Sequence, residues 1–138
     1  MEELFTYAIL FDEGLISKDD YQHKLDKLFL ENPFDDVLLD LEYMQNIQEH
    51  IPYIRANFNY NNFNHNVFGR TLMEKLKEYY ENVEIHTFAD RMWLLWESLP
   101  GNIQDEEPFH TLSYADDWGD EVQAKEIYEN MLNYYNRE

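Results

Sequence analysis

A chain of 138 residues is long enough to bury a real hydrophobic core, and its 17% aromatic content far exceeds that of a disordered acidic tail. Its 29 acidic residues against 10 basic ones leave a formal charge of −19, which excludes the basic footprint of nucleic-acid binding and opposes an anionic membrane surface. The absence of cysteine excludes disulfide stapling, thiolate catalysis and the common structural zinc sites.

The N-terminus, MEELFTYAILFDEG, has acids where a signal peptide needs positive charge, and its pattern predicts a helix over Glu2–Asp12 that stops at Gly14. Ser17 starts a second helix, with Asp20 three residues on as a capping-box variant. Tyr21, Leu25, Leu28 and Phe29 form its apolar face, and Asn32-Pro33 ends it. Asp35 caps a third, carried by Val37, Leu38, Leu41 and Met44. The line continues through Ile47, Ile51 and Ile54, with a kink or restart required at Pro52. Residues 57–66, NFNYNNFNHN, interleave asparagines with Phe58, Tyr60 and Phe63 and read as a loop or turn, because asparagine competes for its own backbone.

Val67, Phe68, Thr71, Leu72, Leu76, Tyr79 and Tyr80 make the next helical stripe. Thr87 is expected to cap a helix containing Phe88, Met92, Leu95, Trp96 and Leu99, closed by Pro100-Gly101. Trp93 and Trp96, three apart on that helix, read as core. Residues 101–118 have no period, and a long irregular segment in a compact domain is usually functional or mobile. Asp120 caps a last helix using Ala124, Ile127, Tyr128, Met131, Leu132 and Tyr135. The expectation is all-α: a single compact domain over 1–138, of about six helices, with a long irregular segment before the last. No apolar run approaches the roughly 18 residues of a membrane span, so a soluble, cytoplasmic protein is expected.

The acidity is local. Residues 18–27 and 67–81 each sum to zero, whereas 28–54 carry −6 and 92–124 carry −8. From Met92 to Ala124 there is no lysine or arginine, and all three tryptophans, Trp93, Trp96 and Trp118, lie there. Self-repulsion destabilises a compact state, so concentrated charge of one sign does nothing for folding. It does serve a surface that meets a basic partner, by raising the association rate and excluding wrong partners.

Chemistry finds little support. Neighbouring acids on a helix diverge and do not converge on one ion, and no segment reproduces the EF-hand calcium loop. His23, His50, His65, His86 and His110 are scattered, with no H-E-x-x-H pattern and no i, i+4 pair. No serine lies in a G-x-S-x-G frame, and Gly14, Gly69, Gly101 and Gly119 are too isolated to cradle phosphate. No enzymatic activity, no cofactor and no metal are expected. For Asp35 and Asp120, helix capping competes with partner contact. Trp118 and Tyr114 each read either as an interface anchor or as a residue pinning the loop.

At LLDLEYMQNI (38–47), LWESLPGNIQ (95–104) and LSYADDWGDE (112–121) the chain resembles the small acidic immunity proteins encoded beside polymorphic toxins, including those of contact-dependent growth inhibition, in Gram-positive bacteria. The resemblance implies a cytoplasmic inhibitor of a cognate toxin domain, often a basic nuclease, and transfers no individual contact residue. The acidic balance fits that role independently. The candidate contact residues are Asp105, Glu106, Glu107, Tyr114, Asp116, Asp117 and Trp118, helped by Asp35, Asp36, Asp40 and Glu42, on a chain that is monomeric when free. The competing expectation is a nucleic-acid mimic inhibiting a restriction or CRISPR-type nuclease. A mimic spreads evenly spaced carboxylates along an extended face, and the two charge-balanced helices count against that.

Overall fold

Side-chain caps explain most of the element boundaries. In the computed structural model, which describes residues 1–114 and 120–136, the first helix is α1 (Glu2–Asp12). It ends where Gly14 turns to φ +73°, a left-handed conformation that glycine adopts without a Cβ clash. Ser17 then starts α2 (Lys18–Glu31) with a reciprocal capping box. Its hydroxyl accepts from the Asp20 N–H at 3.1 Å, and the Asp20 carboxylate accepts from the Ser17 N–H at 3.4 Å. Asp35 caps α3 (Asp36–Tyr43), accepting from the Leu38 N–H at 3.1 Å.

The long third helix read from the apolar line is two helices. The chain breaks at Met44–Asn46, and α4 (Ile47–Asn57) restarts on an Asn46 cap. The interruption comes before Pro52, which sits inside α4. A buried imidazole supports it: His50 Nε2 lies 2.8 Å from the Met44 carbonyl, and Nδ1 lies 3.0 Å from the Tyr21 hydroxyl. A carbonyl only accepts, so Nε2 carries the proton and Nδ1 accepts from Tyr21 O–H.

The C-terminal half begins with α5 (His65–Tyr80), started by Asn64. The next helix, α6 (Ile85–Ser98), is capped three residues earlier than the predicted Thr87. Glu84 is the cap, its carboxylate accepting from the His86 and Thr87 N–H groups at 3.0 and 3.1 Å. Asp120 caps α7 (Glu121–Leu132) as expected, accepting from the Gln123 N–H at 2.8 Å. Between α6 and α7 the predicted irregular stretch contains a short 3₁₀ helix, Phe109–Ser113. The described residues thus form seven α-helices and no strand, which makes the fold all-α; none of the helices is long and apolar enough to cross a membrane.

The helices gather into two compact units, Met1–Phe63 and Asn64–Glu138. In the first, α1 packs on α2 and α4, and α2 on α3. Phe5, 4.0 Å from Phe58 and 5.6 Å from Tyr60 between ring centroids, ties the asparagine-rich segment to α1, so its aromatics point inward while the intervening asparagines stay exposed. In the second unit α5, α6 and α7 enclose Phe68, Leu72, Phe88, Met92 and Tyr128. Ile103, Phe109 and Leu112 are buried there too. Trp96 fastens the connecting segment, its indole N–H donating to the Gln104 carbonyl at 3.0 Å while the Gln104 amide donates back to the Trp96 carbonyl at 2.9 Å. Trp93 corrects the core expectation: it is 42% exposed on the outer side of α6.

Candidate partner-binding surfaces

The first unit presents its acids on a regular element. A helical period of 3.6 puts Asp36, Asp40 and Tyr43 on one side of α3, opposite the buried Leu38 and Leu41. All three outer residues are exposed, Tyr43 by 80%. The tight turn entering α3 is closed by the Asp35 N–H donating to the Asn32 carbonyl at 3.1 Å, with Pro33 and Phe34 at its tip. Phe34 is 96% exposed, the most accessible large apolar side chain described, and Leu30 at the end of α2 is 78% exposed.

Tyr53 reaches this acidic side from α4, its hydroxyl donating to Asp40 Oδ2 at 2.6 Å. That hydrogen bond, with some burial and the charges of Asp40, Asp35 and Asp36, pushes the phenol up to about 12. The three aspartates therefore act on one point. Glu42 does not join them. It follows Leu38 by four residues, on the inner side of the helix, and its Oε1 is buried without a hydrogen-bond partner. Burial, then the neighbouring Asp26 carboxylate, push its carboxyl up to about 7. A carboxyl that needs its proton inside the fold is a poor contact for a basic partner.

In the second unit Asp105, Glu106 and Glu107 are all exposed, in the turns ahead of the 3₁₀ helix. Glu106 Oε2 is engaged with His65 Nδ1 at 3.0 Å. Glu107 borders a cavity of about 220 Å³ together with Pro108, His110, Ile127, Met131 and Tyr134. Tyr114 is half-buried, its ring edge-on to Tyr128 at 5.9 Å, and its carbonyl accepts from the Tyr128 hydroxyl at 3.4 Å. That geometry uses Tyr114 to pin the segment. Asp116, Asp117 and Trp118 lie outside the described residues.

One constellation escaped the sequence reading. Glu84, His86 and Glu121 offer three ligand atoms within 4.8 Å of one another. The buried His86 points Nε2 at Glu121 Oε1, 3.4 Å away, and at Glu84 Oε1, 3.9 Å away. The donor set suits a divalent metal in kind. Its position suits one less, because both carboxylates stand at helix N-termini, where the dipole favours anions over cations. Both Glu84 oxygens are also engaged by backbone N–H groups, which holds this carboxyl below its ordinary range, through the His86 N–H above all. The cluster joins the start of α6 to the start of α7. Glu121 stands 35 residues beyond His86, so no local spacing could reveal it.

No protein-family model, no curated protein and no solved structure matches the chain.

Proposed function

We propose that this chain is an immunity protein that binds a cognate cationic toxin domain, of nuclease type, and neutralises it by occlusion in the producing cell. The reading rests on the resemblance of its 38–47, 95–104 and 112–121 segments to small acidic immunity proteins and on the charge carried outward by the fold. The observation that carries it is the exposure of Asp35, Asp36, Asp40, Asp105, Glu106 and Glu107 together, in stretches with no lysine or arginine. Such groups steer a basic partner and reject anionic competitors. Occlusion needs no chemistry from the inhibitor, and a standard interface of about 800 Å² per partner is within reach of a chain this size. The test reads the gene immediately upstream, where a secreted protein with a basic C-terminal domain is expected, and assays that purified domain for toxicity and nuclease activity with and without stoichiometric protein. Full activity in the presence of excess protein, with no complex by gel filtration, would sink the reading.

A further inference from the structure

Among the described residues, the most exposed large apolar side chain stands next to the acids that open α3. Phe34 is held at a turn tip by the ring of Pro33 and the Asp35–Asn32 hydrogen bond, so little backbone freedom remains to be lost on binding. Asp35, Asp36 and Asp40 follow at once, with Tyr43 on the same side of α3 as Asp36 and Asp40. Phe34, Tyr43 and Leu30 are 96%, 80% and 78% exposed, whereas the side chains that anchor the interior of this unit, such as Tyr21 and Leu25, are fully buried. An exposed aromatic on a hydrogen-bonded turn, set among polar groups, has the makings of an interface anchor.

Resting on the immunity reading, we infer that the α2–α3 corner is the docking face, with Phe34 as the inserted anchor and a lysine- and arginine-rimmed apolar pocket of the toxin domain as its occupant. Charge selects that occupant. A second copy of this chain would bring Asp35, Asp36 and Asp40 against their equivalents, and like charges across an interface are strongly unfavourable. A basic surface neutralises all three while Phe34 leaves water. The 105–107 acids, by contrast, stand beside no comparably exposed aromatic among the described residues.

The experiment uses the adjacently encoded domain as an inactive variant, titrated with the whole protein and with Phe34→Ala, Tyr43→Ala, D36K/D40K and D105K/E107K forms. Phe34→Ala is expected to raise Kd by about 30-fold or more, mainly through faster dissociation. D36K/D40K is expected to slow association by about tenfold at low salt, and D105K/E107K by less. Thermal melting keeps the test fair, since residues this exposed leave the core intact. Binding within about threefold of wild type for Phe34→Ala would overturn the docking face while leaving the immunity reading standing. No binding by the wild-type protein would remove both. Sedimentation of the free chain should report a monomer; a dimer dissociated by Phe34→Ala would give the face to a second copy and overturn the inference.

Discussion

Along α3 of the N-terminal unit the acids project from one side of a helix beside an exposed aromatic, whereas in the C-terminal unit several acids are bound into the fold. Asp120 and Glu84 start helices, Glu106 meets His65, Glu121 faces His86, and Glu129 accepts from the Tyr80 hydroxyl at 3.0 Å. The Asp36 side chain makes no hydrogen bond or ion pair among the described residues; of its neighbours, Asp35 caps α3 and Asp40 accepts from Tyr53. Carboxylates of equal chemistry therefore have unequal consequences, even side by side on one helix. A carboxylate with such a task holds its own helix or ties it to another, and removing it reads out as stability. A carboxylate without one leaves folding untouched and is available to a partner.

The largest effects should come from the two cores, if each unit carries its own. Phe5 is buried against Phe58 and Tyr60, and Phe88 is buried at 5.0 Å from both Tyr80 and Tyr128. Truncation of either to alanine should cost about 3–5 kcal/mol. Hydrogen exchange should show Phe5→Ala loosening α1–α4 first and Phe88→Ala loosening α5–α7 first. Equal loosening of all seven helices by either change would mean the two regions cannot be compared separately.

A smaller effect separates carboxylates with a task from those without. Asp120→Ala removes the acceptor of the Gln123 N–H and should cost about 1 kcal/mol, a fall of several degrees in melting temperature. Asp36→Ala should change stability by less than about 0.5 kcal/mol. Reversed magnitudes in paired melting curves would dissolve the distinction.

Much of this was legible because caps are local. Ser17, Asp35 and Asp120 each act within three residues of themselves, so the start of a helix could be read from four consecutive letters. What was missed depends on distance or on facing. The break of the third helix rests on His50 reaching back to Met44 and across to Tyr21, the latter 29 residues away. Trp93 shares a helix with core residues but not their side of it. Grouping Glu42 with Asp40 by acidity ignored the i, i+4 relation to Leu38 that turns it inward. Phe34 carried a usable signal: between Pro33 and Asp35-Asp36 it belongs to no apolar stripe.

Glu42 gives a pH test within the N-terminal unit. Its folded pKa, about 7, lies above the ordinary value of 4.5, so the fold holds a proton that the unfolded chain releases. This group's contribution is complete below pH 4.5 and is lost as pH rises through 7. Glu42→Gln should flatten that decline, gaining about 1 kcal/mol at pH 8 after allowance for solvent screening of a half-buried group. Urea denaturation at pH 5 and pH 8 reads the difference. An unchanged pH slope in the variant would place Glu42 in water beside Asp40 and restore it to the acidic face.

The smallest effect is the most direct probe of that face. Tyr53 titrates at about 12 because its hydroxyl donates to Asp40 and because Asp40, Asp35 and Asp36 disfavour a nearby phenolate. Asp40→Asn deletes the charged acceptor and one of the three anions, so the phenol pKa should fall toward 10 without reaching it while Asp35 and Asp36 remain. Asp36→Asn alone should lower it less. Carbon-13 shifts of labelled tyrosine, followed through alkaline titration, isolate this ring from the other ten. The order of the two shifts matters more than their size. A phenol unaffected by Asp36→Asn would mean the three aspartates do not act on a common point, and the α2–α3 corner would lose the convergence of charge that distinguishes it from the 105–107 turn.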